Sequence, residues 1–83
     1  MLLAPDVTLT VTERGMVLLD ERSGRYWTLN ATGATVVRML LDGETVDDAL
    51  AALRDRHPSA ADRIAADVER FLASLRDAKV VRS

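Results

Sequence analysis

The sequence has no cysteine, two prolines, four glycines and three aromatic residues, one each of Phe, Tyr and Trp. Without cysteine there can be no disulfide and no thiolate metal site, so the fold must rest on packing, as suits a reducing cytoplasm. No stretch approaches the roughly 20 apolar residues that a membrane-spanning helix needs. The N-terminus lacks a basic segment followed by a long apolar run, so no signal peptide is expected. An excess of positive charge is missing too: 11 basic residues stand against 13 acidic ones, a net charge of −2. Bases and acids alternate closely, as in Glu13-Arg14, Arg54-Asp55-Arg56 and Arg76-Asp77. That leaves no basic stripe for phosphate contacts, which supply most nucleic-acid affinity.

What the chain does have is 48% hydrophobic and 29% charged residues over 83 positions, the balance of a folded protein. That length predicts one domain, residues 1–83, with a thin core. Val7, Leu9 and Val11 alternate with Thr8, Thr10 and Thr12, which predicts a strand with one apolar and one hydroxyl face. A turn at Glu13-Arg14-Gly15 leads to a second strand, Met16 to Asp20, apolar on both faces and therefore a candidate central strand. A turn at residues 21–24 leads to a third, Arg25 to Asn30, rich in sheet-favouring residues. Connections this short predict an antiparallel meander.

From Asn30 the period becomes helical. Either Asn30 or Thr32 can cap a helix to about Leu41, with Asp42-Gly43 closing it. Thr45 is the expected cap of a second helix, ended by Pro58. Ser59 is the expected cap of a third, about Ala60 to Ala78, with an apolar stripe of Ala61, Ile64, Val68, Phe71, Leu72 and Leu75. The tail, Lys79 to Arg82, either adds a short edge strand or packs. Three strands followed by three helices describe an α+β, winged-helix-like domain.

Chemistry is hard to find in these residues. The single histidine, His57, precedes Pro58 at a helix end and has no partner for catalysis in the pattern. No serine sits in a Gly-x-Ser-x-Gly elbow, and Asp47 and Asp48 are explained by the positive first turn of their helix. No cluster of metal ligands and no phosphate loop emerges, so neither an enzyme nor a cofactor is expected. Binding remains. A three-stranded sheet has two edges, and an edge offers unpaired amides and carbonyls to an incoming strand. If the third strand is an edge beside the last helix, strand addition there would give affinity, and pockets would give selectivity.

Residues 15–34, running Gly-Met-Val-Leu-Leu-Asp-Glu-Arg-Ser-Gly-Arg-Tyr-Trp-Thr-Leu-Asn-Ala-Thr-Gly-Ala, resemble the PqqD-like recognition elements of ribosomal peptide pathways. The likeness continues through Leu40 to Gly43, Thr45 to Ala49, Ala66 to Val68, and Phe71-Leu72. Within that family the chain looks most like the stand-alone leader-binding proteins of actinobacterial lasso-peptide clusters. One departure is Val37, where several relatives place an aromatic residue in the first helix.

The resemblance implies a peptide chaperone that binds the leader of a precursor peptide as an added strand. The leader would lie on the third strand, beside the third helix. A leader-removing cysteine protease and an ATP-dependent cyclase would be served in turn, in the cytoplasm. Carried onto this chain, peptide contacts fall on Arg25, Tyr26, Trp27, Thr28 and Leu29 of the strand, and on Ile64, Asp67, Val68, Phe71 and Leu72 of the helix. Two other readings stay open. One is a carrier serving a radical enzyme, as in pyrroloquinoline quinone assembly. The other is a winged-helix DNA-binding regulator, whose recognition helix would need basic residues that the second helix offsets with Asp47, Asp48 and Asp55.

Overall fold

A computed structural model gives the fold of residues 1–82. Its strands are β1 (Leu2–Leu3), β2 (Val7–Thr12), β3 (Gly15–Asp20), β4 (Tyr26–Asn30) and β5 (Val81–Arg82). Its helices are α1 (Ala31–Leu41), α2 (Val46–Arg56) and α3 (Ala61–Asp77), with a single 3-10 turn at Pro58–Ala60 before α3. The α+β order of a three-stranded meander followed by three helices is the one expected.

β3 is the central strand of an antiparallel β2-β3-β4 sheet, with Leu18 facing Leu9 on one side and Trp27 on the other. Period-two alternation puts Val7, Met16, Leu18 and Leu29 on the inner face, all buried. Gly15 is required where β3 begins. Its φ is 156°, and an added Cβ would fall 2.0 Å from the Leu29 carbonyl oxygen.

α1 follows β4 with no loop between them. Asn30, the last residue of β4, is also the cap, its side-chain oxygen accepting the Gly33 amide at 2.9 Å. Of the two caps the sequence allows, Asn30 is the one used. Thr45 caps α2 in a reciprocal box: its hydroxyl accepts the Asp48 amide, and the Asp48 carboxylate accepts the Thr45 amide.

The expected cap of α3 is corrected. Pro58 opens a 3-10 turn, so the chain enters α3 through Ala60, and no side chain caps it. A proline fits the first turn of a helix because its missing N–H would be unpaired there, and that shifts the helix start past Ser59. The tail adds no strand to the main sheet. β5 pairs with β1, two residues at the N-terminal end that alternation did not mark, in a separate two-stranded sheet.

The core falls into two apolar clusters joined by α1 and α3. Ala34 and Val37 of α1 pack with the inner sheet face, Leu75 and the tail valines. Val36 and Leu40, on the adjoining face of α1, pack with Ala49 and Leu53 of α2 and Val68 and Leu72 of α3. No polar or charged residue is buried among those described. Each fully buried Leu or Val contributes roughly 1.5–3 kcal/mol relative to leaving it in water. Tying α3 to both clusters fixes where it lies beside β4.

Candidate functional site

β4 is an edge strand, and its hydrogen-bonding pattern decides which groups it offers. The Asp20 amide donates to the Arg25 carbonyl at 2.9 Å, so the main-chain groups of Asp20 point toward β4. Those groups alternate in direction along a strand. Leu18 and Met16 therefore bond with Trp27 and Leu29, their partners in register. The amides and carbonyls of Tyr26 and Thr28 are left pointing outward at the open edge.

Beside that edge runs a groove of about 590 Å³. Thr28, Leu29 and Asn30 form one wall and α3 the other, through Arg63, Ile64, Asp67, Val68 and Phe71. Leu29 and Val68 are buried, while Ile64 and Phe71 are half-buried, so the groove is apolar at depth. The first turn of α1, at Thr32 and Gly33, and His57 and Ala60 on the connection between α2 and α3 complete the lining. Asp67 is held by an ion pair with Arg70 on the exposed side of α3. Arg63 has no such partner among the described residues.

Of the residues expected to meet a peptide, Thr28, Leu29, Ile64, Asp67, Val68 and Phe71 line this one groove. The others lie elsewhere. Leu72 is 1% exposed, packed in the cluster between the helices, and does not reach the groove. Trp27 shares the inner face with Leu29, half-buried, and the Arg25 guanidinium stacks over its ring at 5.1 Å from the centroid. Tyr26 faces the opposite side of the sheet and is 67% exposed.

Asn30, Thr32, Gly33, His57, Ala60 and Arg63 also line the groove, beyond the residues expected from the sequence. For Arg63 there was a signal, since it precedes Asp67 by one helical turn. For the start of α1 the signal was the absence of any loop after β4. Nothing local announced His57 and Ala60, which depend on how the chain crosses from α2 to α3.

Among the described residues, no three His, Asp or Glu side chains gather as a metal site would require. No helix is long and apolar enough to cross a membrane. The exposed surface of α2 carries Asp47, Asp48 and Asp55 against Arg54 and Arg56.

The model of the family described as coenzyme PQQ synthesis protein D (PqqD) matches residues 15–81. Among solved structures, a lasso peptide synthetase B1 complexed with the leader peptide is similar at a TM-score of 0.84 and 34% identity. That match covers 98% of this chain and 95% of that one. TbiB1 in complex with the TbiA(beta) leader peptide has the same fold, with a TM-score of 0.83 at 20% identity, covering 100% of this chain and 96% of that one. No curated protein matches the chain.

Proposed function

The chain belongs to the PqqD family, and from that premise we propose that it binds the leader segment of a ribosomally made precursor peptide. The leader adds as a strand, antiparallel to β4, and its inward side chains enter the groove against α3. The protein works without catalysis or cofactor of its own, as a single cytoplasmic domain. It holds the leader for a separate leader-removing protease and then a cyclase.

One observation carries this reading: the outward amides and carbonyls of Tyr26 and Thr28 run alongside an apolar groove. An extended peptide placed there satisfies both features at once. Its main chain meets the free edge, and every second side chain leaves water for the space between Leu29 and Val68. β2, the other edge of the sheet, contributes nothing to this groove. The similar lasso peptide synthetase B1, solved with a leader peptide, supports the same class of ligand.

Titration calorimetry with the leader segment of the small precursor encoded beside this chain's gene tests the reading. Saturable binding at sub-micromolar Kd, about −8 kcal/mol or stronger, is expected. Absence of saturable binding to that leader overturns it.

A further inference from the structure

Tyr26 stands where the leader groove does not reach. Its ring projects from the face of the sheet opposite Trp27 and Leu29, and it is among the few large apolar side chains left exposed. Across the sheet it faces Leu19, and Leu19 in turn faces Thr8. The next row on that face is Thr10, Val17 and Thr28. None of these six residues is charged. Val17 and Leu19 are half-buried yet belong to neither core cluster, so this uncharged face, where Tyr26, Leu19 and Val17 stand among the threonine hydroxyls, has no layer packed on it.

A strand added at the β4 edge cannot ignore that face. Side chains alternate along any strand, so residues directly across from Tyr26 and Thr28 must project beside them, away from α3. Only the residues across from Trp27 and Leu29 turn into the groove. The added strand becomes the fourth member of each outer row, and in the row it joins at Tyr26 its neighbours are that ring and, next to it, the Leu19 side chain.

Resting on the leader-binding reading above, we propose that a bound peptide is read on both faces of the sheet, with Tyr26 selecting an aliphatic or aromatic residue at the position directly across from it. The groove and Tyr26 therefore select at alternate positions. The ligand class is an extended peptide that is apolar at consecutive positions, not merely at every second one. A peptide with an amphipathic strand, apolar toward the groove and charged toward Tyr26, meets only half of the site. Cross-strand pairing of an aromatic with an apolar residue is worth up to about fivefold in affinity.

The chain carries its own reporters for this. Tyr26 is its only tyrosine and Trp27 its only tryptophan, neighbours on opposite faces of one edge strand. Protein labelled with fluorotyrosine and fluorotryptophan gives one fluorine signal for each face. The probes are the leader encoded beside this chain's gene and the leader peptide of the similar lasso peptide synthetase B1, each scanned with aspartate one position at a time. At saturation both fluorine signals should shift. One aspartate position should weaken binding about three- to fivefold in the native protein and have no effect in Tyr26→Thr. Its two neighbours should weaken both proteins equally. Tyr26→Thr keeps a strand-favouring residue at an exposed position, and its thermal melt should match the native one.

The inference is overturned if the tyrosine signal stays still while the tryptophan signal moves, or if no aspartate penalty disappears in Tyr26→Thr. If neither leader binds at all, the leader-binding reading itself has failed, an outcome distinct from binding that Tyr26 does not influence.

Discussion

The Asp20 amide donates to the Arg25 carbonyl at 2.9 Å at the closed end of the β3-β4 hairpin. Because main-chain groups alternate in direction along a strand, that bond and the register leave Thr28 with its amide at the open edge and commit the Leu29 amide to Met16. The two positions should therefore respond oppositely to proline. Thr28→Pro removes a donor from the edge alone, where proline is tolerated. Its circular dichroism should match the native protein while leader affinity falls at least about tenfold, the loss of one hydrogen bond plus the bulk of the ring. Leu29→Pro breaks the pairing within the sheet, and that protein should fail to show a cooperative melt.

The third helix separates core packing from the groove wall at positions eight residues apart, Leu72 and Ile64, and on the proposed reading only the latter meets a peptide. Leu72→Ala should cost about 2–5 kcal/mol in urea denaturation, because its side chain is wholly enclosed and its removal leaves a cavity. Ile64→Ala, at the half-buried groove wall, should cost less than about 2 kcal/mol in the same assay and reduce leader affinity. Equal stability losses for the two variants would contradict this division of α3.

Lys79 offers a gain in stability. It follows α3 with φ at 59°, the left-handed turn in which its amide donates to the Arg76 carbonyl and the Val80 amide to the Leu75 carbonyl. A lysine there bears steric strain that glycine lacks. Lys79→Gly should raise the unfolding free energy by about 0.5–1 kcal/mol, read as a higher urea midpoint at unchanged slope. Leader affinity should not change, since Lys79 lies outside the groove.

How much of this was legible in the sequence depends on how local each cause is. The alternation of Val7 to Thr12 and the twofold apolar character of Met16 to Asp20 are properties of single strands, and they gave both the meander and its central member. Asn30 and Thr45 announce helices because a cap bonds within three residues of itself. Ser59 misled for the same reason. It is a good local cap, but Pro58 imposes its own turn and moves the helix start. β1 and β5 are two residues each, too short to show a period, and exist only because their ends of the chain meet.

The groove was half legible. Ile64, Val68 and Phe71 follow from the stripe of α3, yet the same stripe gave Leu72, because periodicity reports an apolar face without saying what covers it. Tyr26 and Trp27 could be placed on opposite faces by alternation, but only the path of α3 decides which face becomes the groove. His57 and Ala60 enter the lining through that path too, and no residue pattern near them encodes it.

The central claim is strand addition at β4, and amide hydrogen exchange at Tyr26 and Thr28 tests it most directly. In the free protein these two amides face solvent and should exchange as fast as those of Leu9 and Val11, the outward positions of the opposite edge strand β2. With saturating leader peptide, Tyr26 and Thr28 should become protected while Leu9 and Val11 do not change. Protection that leaves Tyr26 and Thr28 exchanging freely, or that appears at Leu9 and Val11 instead, would contradict the account.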